Sequence, residues 1–254
     1  MLSSPAGRAS VMQVMVIAAI ALVLLAFGYP VYRLIKQNKH KADTGERLRK
    51  LYNATKTYAT QNDGRLPDED APGKDTWDTA ADQKAANAWY NALPKIIGQR
   101  SVGEYASAPE DFYKPDNVMF VPGATYPEDT MSEPLFAIAF NTKLQRKDAE
   151  GRDTVLRMTD ITVPSRTVLF MEKGLPKEDR AMAQMTKKDY DGASKGSAKS
   201  FVTRYGGKGW LLFADGRADL YEGKDVLTET GRLPFPISGV DVIWTRTPEE
   251  DPNK

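Results

Sequence analysis

The chain has 254 residues, with 35 Lys and Arg against 34 Asp and Glu, a single histidine and no cysteine. The lack of cysteine excludes disulfide bonds, thiolate metal sites and cysteine nucleophiles. The net charge of +1 hides an asymmetry, since residues 33–50 carry a local charge of +5 and residues 51–254 one of −5. A mildly acidic remainder has no general attraction for nucleic acid, so we expect no nucleic-acid partner.

The first element is an apolar segment over residues 11–32, in which only Gln13 is strongly polar. About 20 apolar residues are enough for a helix to cross the ~30 Å hydrocarbon core of a bilayer. Residues 1–10 precede it as a short leader-like segment, and four basic residues follow it: Arg33, Lys36, Lys39 and Lys41. The segment therefore predicts a membrane anchor near the N-terminus.

Three kinds of membrane segment fit this pattern. A cleaved signal peptide would place small residues at Ala26 and Gly28, but the apolar run is longer than the usual 7–15 residues. A plain anchor with a cytoplasmic domain agrees with the positive-inside rule, because the basic residues follow the helix and only Arg8 precedes it. The third interpretation is an anchor that continues into a long helix, and the following residues favour it.

Residues 33–62 continue a helical pattern beyond the apolar segment. One apolar face is indicated by side chains at steps of three, four and three residues: Leu48, Leu51, Thr55 and Tyr58. Pro30 predicts a kink, Asp-Thr-Gly at 43–45 could interrupt the helix, and Asn-Asp-Gly at 62–64 ends it. A helix that is first apolar all round and then amphipathic suits a chain that leaves a bilayer and lies on a domain.

Residues 63–247 predict a folded domain of helices and strands. Trp77, Ala81, Ala85, Trp89 and Leu93 step four residues at a time, which predicts one short amphipathic helix over 77–97. Apolar and aromatic runs predict strands at 117–123, 134–144, 154–162, 166–174 and 241–247. We expect a polar, mobile loop at 185–200 and a disordered acidic tail at 248–254.

The clearest element of this domain is a hairpin over residues 210–221. Asp215-Gly216 lie between two apolar runs, and the two-residue turn that this dipeptide favours has positive φ at both positions. Together the elements predict an α+β fold, with a long N-terminal transmembrane-plus-amphipathic helix packed on a mostly antiparallel sheet.

The sequence gives little support for an enzymatic function. Residues 192–196 match Gly-x-Ser-x-Gly, but a nucleophile elbow needs a histidine base, and the only histidine, His40, adjoins the membrane segment. Asp215 could be a catalytic or metal-binding carboxylate, although a turn explains it more simply. We therefore expect a protein that is not an enzyme, with no catalytic residue.

Three further features have both a structural and a functional interpretation. Tyr205, followed by two glycines, marks either a close backbone bend or a recognition surface. The acidic segment 128–133 could hold Ca²⁺, although short acidic loops are common and the EF-hand spacing is absent. Trp77, Trp89 and Tyr90 form either an aromatic recognition patch or part of the core, and we favour the core.

Several segments, taken in order, resemble the type IV pilin-like and type II secretion pseudopilin proteins. The closest resemblance is to the bacterial prepilin-type class named for a His-x9-Asp-Gly motif. Gln13 and Pro30 are 17 residues apart, like the early glutamate and the helix proline of that family. The matching segments are LRKLYNATKTYATQNDGRLP (48–67), AWYNALPKIIG (88–98), VPSRTVLFMEKG (163–174) and RYGGKGWLLFADGRADLY (204–221).

The sequence departs from the family pattern at the positions that matter for processing. Arg8 stands where the family has the small residue, normally glycine, before the peptidase cut, and Ala9 would be the first mature residue. Gln13 replaces the glutamate that pairs with the free amine of a neighbouring pilin, and Tyr205 replaces the motif histidine ahead of Asp215 and Gly216. We expect cleavage to be poor or absent, because without a free amine an intramembrane carboxylate has no partner.

The resemblance implies a membrane-anchored structural protein, a component or accessory of a type II secretion or type IV pilus-like assembly. Its partners would be the membrane and other pilin-like subunits, contacted through the N-terminal helix. It would span the inner membrane once, with its C-terminal domain outside the cytoplasm. The alternative is a single-pass, anchored binding module outside the cytoplasm that never enters a filament. Neither requires a cofactor.

Overall fold

A computed structural model of the chain describes residues 11–71, 75–128, 132–147, 149–150, 153–235 and 242–254. Its first element, α1, is a single helix over Val11–Gln61 that continues through Pro30 and through residues 43–45. The predicted long helix is therefore confirmed, and the interruption at 43–45 does not occur. Residues 11–40 and residues 41–254 belong to two separate compact units.

The end of α1 is set by two residues with left-handed backbone conformation. Asp63 has φ of 53° and Gly64 of 78°, and the Gly64 N–H donates to the Ala59 carbonyl at 2.8 Å. The Asn62 amide adds a bond to the Tyr58 carbonyl at 2.8 Å. These contacts satisfy carbonyls that the last turn of a helix leaves unpaired.

The first unit is helical and apolar. All side chains described between residues 11 and 39 are exposed. α1 is the one helix among the described residues that is long and apolar enough to cross a membrane.

The second unit contains a five-stranded sheet within the described residues. Its strands are β1 (Ile138–Asn141), β2 (Val168–Glu172), β3 (Lys195–Gly196), β4 (Lys208–Phe213) and β5 (Ala218–Glu222), in the spatial order β3-β1-β2-β4-β5. The β1–β3 pair is parallel and the other three pairs are antiparallel. The result is a mixed sheet in an α+β fold, with the mostly antiparallel pairing that the sequence predicts.

Both faces of the sheet are buried. One core contains Leu48 and Leu51 of α1 with Phe170 of β2, whereas the other contains Met171 of β2 with Trp244. All five residues of β2 are buried, which explains why its first four residues are all apolar rather than alternately apolar and polar.

The helix predicted over 77–97 is broken into three pieces. α2 spans Trp77–Ala81, a 3₁₀ turn spans Gln83–Ala85, and α3 spans Trp89–Ile96. Asp82 causes the first break because its backbone is extended and its side chain accepts the Lys84 N–H at 2.8 Å. The aromatic side chains of this region are in the core, as favoured: Trp77, Trp89 and Tyr90 are all buried.

Two predicted strands, 117–123 and 154–162, are wrong. In the first, the Asn117 side chain accepts the Met119 N–H and the Tyr126 hydroxyl accepts the Val121 N–H. The second is hydrogen-bonded to the turn after α1, where the Met158 N–H donates to the Gly64 carbonyl, and it includes a 3₁₀ turn over Met158–Asp160. Apolar composition buries both segments, but side chains and turns satisfy backbone groups that a sheet would otherwise pair.

The remaining predictions are partly confirmed. The strand predicted at 134–144 is shortened to β1, followed by a 3₁₀ turn over Thr142–Leu144, whereas the strand at 166–174 contains β2. Of the strand predicted at 241–247, residues 242–247 are described, and they form a single isolated β-bridge, at Ile243. The expected 185–200 loop includes β3. In the tail expected to be disordered, Asn253 exchanges two hydrogen bonds with the Leu233 backbone.

Four short helical segments complete the described elements. 3₁₀ turns span Val102–Tyr105 and Ala198–Ser200, α4 spans Pro109–Phe112, and α5 spans Gly223–Val226. The first of these turns and α4 bring Tyr105 and Phe112 edge to face at 5.7 Å.

Buried tyrosines predict that the domain loses stability in alkali. Burial raises the pKa of Tyr126 and of Tyr190 to about 12, and it raises the pKa of Tyr90 and Tyr205 as well. Above pH ~10 the unfolded chain loses these protons while the folded chain keeps them, so the free energy of unfolding should fall by up to about 1.4 kcal/mol per pH unit per tyrosine. Urea denaturation followed by tryptophan fluorescence between pH 8 and 11 measures this fall.

The variant Tyr190→Phe is the control for this prediction. It removes one of the four protons, so its stability should depend less steeply on pH above 10. An equal slope in both proteins, or constant stability up to pH 11, would contradict the prediction.

Candidate functional site

The amphipathic half of α1 buries one face on the domain. The buried side chains recur at helical spacing along residues 44–59: Thr44, Leu48, Leu51, Ala54, Thr55 and Ala59. The opposite face carries exposed charges such as Glu46, Arg49 and Lys50. Three residues of the domain contact this part of the helix, and we call them the helix-docking surface: Tyr205, Trp210 and Gly216.

Tyr205 connects the turn before β4 to the helix. Its hydroxyl lies 2.8 Å from the Thr44 hydroxyl, and both side chains are buried. Gly206 and Gly207 have φ of 61° and 79°, and Tyr205 exchanges two backbone bonds with Lys208 across them. Positive φ at both central residues makes this a type I′ turn, so a bend is present at the predicted place, but no atom lies within 4 Å of a Cβ atom at either glycine and the predicted close backbone passage does not occur.

Trp210 of β4 contacts the helix through both its indole N–H and its ring. Its indole N–H donates to the Lys41 carbonyl at 3.1 Å. Its ring covers Gly45, where a Cβ atom would lie 2.9 Å from the ring. Glycine in the middle of a helix is unfavourable by about 1 kcal/mol relative to alanine, and here it makes room for the indole.

The hairpin turn at Asp215 and Gly216 has a different geometry from the predicted one. Gly216 has φ of 94°, whereas Asp215 does not have positive φ. The Phe213 N–H donates to the Arg217 carbonyl and the Phe213 carbonyl accepts the Gly216 N–H, so the loop has three residues and a left-handed glycine. A Cβ atom on Gly216 would clash with the Tyr52 ring of α1, which places this turn in the helix-docking surface.

A buried ion network lies behind the helix-docking surface. Arg204 bonds the Glu172 carboxylate at 3.0 Å and the Glu178 carboxylate at 2.5 Å, and all three side chains are at most 6 % exposed. The second oxygen of Glu172 accepts the Trp210 backbone N–H at 2.9 Å. The network therefore connects β2 and the segment after it with the strand that carries Trp210.

The charges of this network are fully bonded. Glu178 also accepts the Thr125 and Leu175 N–H groups, each at 2.9 Å, and Arg204 also donates to the Lys173 carbonyl at 2.6 Å. Burial raises the pKa of Glu172, an effect that Arg204 opposes. Burial alone would lower the pKa of Arg204, but the two carboxylates raise it, so this side chain is a permanent cation.

Lys173 is a second buried cation, next to this network in the chain. Its side chain is 2 % exposed, and its ammonium donates to the Lys195 carbonyl at 2.8 Å and lies 2.9 Å from the Asp191 carboxylate. Burial lowers the pKa of Lys173, and Asp191 opposes this shift. The contacts join the end of β2 to β3, which is a structural arrangement.

The positions of the family motif fall into three groups. Gln13 and Pro30 lie on α1, and Arg8 and Ala9 lie outside the described residues. Tyr205 and Gly216 both belong to the helix-docking surface, and Asp215 accepts the Arg217 N–H at 2.9 Å within the turn. Of these positions, Tyr205 and Gly216 therefore contact α1.

The other candidates have contacts of a structural kind or remain untested. In the Gly-x-Ser-x-Gly segment, Ser194 donates its N–H to Asp75 at 2.7 Å and accepts the Trp89 indole N–H at 3.0 Å. Residues 129–131 of the acidic segment lie outside the described residues. Within the part of the chain that is described, no three His, Asp or Glu residues are grouped as metal ligands.

Sequence reasoning missed the ion network and the role of Trp210. One signal for the network was present: Glu172 and Lys173 directly follow an apolar run that predicts a buried strand. A charge in such a position needs a buried partner. Comparisons of this chain with protein-family models, curated proteins and solved structures find no match.

Replacing Gly45 by valine should loosen the helix from the domain. The new Cβ atom would overlap the Trp210 ring, so the free energy of unfolding should fall by about 1–3 kcal/mol. Urea denaturation of the full chain in detergent micelles, followed by tryptophan fluorescence, measures the change. The same substitution at Gly28, where no atom lies within 4 Å of a new Cβ, should leave the domain unaffected, and equal effects at both glycines would count against the docking contact.

Removing Arg204 should be far more damaging than removing an exposed cation. Arg204→Met leaves Glu172 and Glu178 buried without a partner, which costs about 3–5 kcal/mol of unfolding free energy at neutral pH. The control Lys50→Met breaks an ion pair with Glu46 that is more than half exposed at both ends, and we expect a change below about 0.5 kcal/mol.

The loss in Arg204→Met should also depend on pH. Without the guanidinium the pKa of Glu172 rises further, so below neutrality the folded state binds a proton that the unfolded chain binds only at lower pH. The variant should therefore regain stability relative to the wild type between pH 7 and pH 5. A constant difference across this range, or losses equal to those of Lys50→Met, would show that the network is not a buried charge cluster.

Proposed function

We propose that this chain is a membrane-anchored, pilin-like structural protein, a component or accessory of a type II secretion or type IV pilus-like assembly. The observation that carries the proposal is the continuity of α1. One helix has exposed apolar side chains over residues 11–32 and a buried face over residues 44–59. Such a helix can enter a bilayer at one end while its other end is part of a folded domain.

The apolar half of α1 would provide both the anchor and the subunit interface. Lipid tails are as apolar as leucine, so helices associate in a bilayer through close packing rather than through the hydrophobic effect. Small side chains such as Ala18, Ala19 and Gly28 allow backbones to approach closely. Gln13 is uncharged and would enter the membrane without a counter-ion.

We propose that the C-terminal domain lies outside the cytoplasm, on the far side of the inner membrane. The resemblance over residues 48–67 and 204–221 supports this orientation, although the basic residues after the apolar segment favour the opposite one by the positive-inside rule. The rule is a statistical bias and not a strict requirement.

The second candidate is an anchored binding module outside the cytoplasm that never enters a filament. Arg8 and Gln13 favour it, because both depart from the residues that the resembled family uses for cleavage and for ordered assembly. The two candidates share the anchor and the domain. They differ in whether copies of α1 pack against one another.

Cysteine crosslinking in membranes distinguishes the two candidates. The chain has no cysteine, so single cysteines at successive positions between 14 and 30 give no background. An assembly component should give a disulfide-linked dimer on oxidation, since one cysteine per chain can form only one disulfide, and the dimer yield should repeat every three to four residues because one helix face is in contact. A cysteine at exposed Asn53, in the docked half of α1, is the control position.

Random collision in the membrane would crosslink all positions equally, and a monomeric anchor would give no dimer. Either result would contradict the assembly function, and the absence of any species beyond the monomer would favour the binding module. Dilution with cysteine-free wild-type protein should lower the dimer yield at every position and leave its periodicity unchanged if the contacts are specific.

A further inference from the structure

Residues 29–39 of α1 are amphipathic. With 100° of rotation per residue, five side chains fall within an arc of about 120°: Tyr29, Tyr32, Arg33, Lys36 and Lys39. The opposite side of the same segment carries Val31, Leu34 and Ile35. All these side chains are exposed, the apolar and tyrosine side chains by at least 55 %, so the described residues cover neither face.

The position of the tyrosines along the helix matches a bilayer boundary. Residues 11–28 rise about 27 Å, close to the ~30 Å thickness of the hydrocarbon core. Tyr29 and Tyr32 follow directly, and amphipathic rings favour the level of the headgroups. The Arg33 guanidinium lies 5.8 Å from the centre of the Tyr29 ring, so cation and ring occupy the same side.

The cations of this face have no carboxylate to neutralise them nearby in the chain. Residues 9–42 contain no Asp or Glu, and Arg33, Lys36 and Lys39 form no ion pair with the described residues. The cations further along α1 differ, since Lys50 pairs with Glu46 at 2.8 Å and Arg47 donates to the Pro115 carbonyl at 2.5 Å. Any counter-charge for the first group would therefore come from outside this segment.

We propose that residues 29–39 form a binding surface for anionic phospholipid headgroups, which we call the basic stripe. Arg33, Lys36 and Lys39 bind the phosphates, while Val31, Leu34 and Ile35 lie at the acyl boundary. A lipid fits better than an acidic protein because the stripe continues the apolar segment without a break and because one occupant covers both faces. The inference rests on the membrane anchor of the proposed function, but not on assembly.

Lipid selectivity measured on the reconstituted full chain tests this proposal. The protein is placed in phosphatidylcholine bilayers with spin-labelled phosphatidylglycerol or spin-labelled phosphatidylcholine, and the fraction of motionally restricted label is compared. The wild type should restrict more phosphatidylglycerol than phosphatidylcholine, and added salt should reduce the difference. In the variant Lys36→Gln/Lys39→Gln the ratio of the two association constants should fall towards one.

The matched control is Arg49→Gln/Lys56→Gln, which removes two exposed cations from the docked half of the same helix. Its selectivity should equal that of the wild type, and tryptophan fluorescence should show that all three proteins are folded. Equal restriction of both labels by the wild type, or equal losses in both variants, would overturn the basic stripe while leaving the anchor in place. The absence of any restricted lipid would instead contradict the anchor itself.

Discussion

A helix that is apolar on every side must leave water, whereas a helix that is apolar on one side can stay in water only if that side is covered. α1 meets both conditions along one continuous backbone, with an exposed apolar segment over 11–32 and a covered face over 44–59. The domain is built around the second condition. The strand β4 places an indole over Gly45, the turn before it brings the Tyr205 hydroxyl to Thr44, and the turn after it packs Gly216 against Tyr52. These contacts hold one helix face along three helical turns.

The buried ion network bonds the strand whose residues and flanking turns make these contacts. Glu172 and Arg204 are removed from water, and each is bonded to backbone groups as well as to the opposite charge. A buried charge cluster of this kind adds little net stability compared with an apolar core, but any rearrangement that breaks it leaves an unpaired charge behind. Because Glu172 of β2 accepts the Trp210 N–H of β4, the network keeps the register of β4 relative to β2. The helix-docking surface depends on that register.

The sequence predicted those parts of the fold that follow from local periodicity. The length of α1, its end at 62–64 and the strand β2 are confirmed because the pattern of apolar residues and the turn residues determine them directly. The strands at 117–123 and 154–162 were wrong because an apolar run indicates burial and does not reveal which group satisfies the backbone. The hairpin was located correctly, but the turn with two positive φ values is at Gly206-Gly207 rather than at Asp215-Gly216. The network of Glu172, Glu178 and Arg204 joins three distant segments, and no spacing rule connects them.

The proposed function places the docked half of α1 and the whole domain on one side of a membrane, outside the cytoplasm. Labelling of a single cysteine at exposed Lys188 with a membrane-impermeant maleimide, in spheroplasts that express the full chain, tests this claim most directly. A cysteine placed in a cytoplasmic protein of the same cells reports whether the membrane is intact. If the domain lies outside the cytoplasm, Lys188→Cys should be labelled before lysis. Labelling that occurs only after lysis would place the domain in the cytoplasm and contradict the proposed orientation.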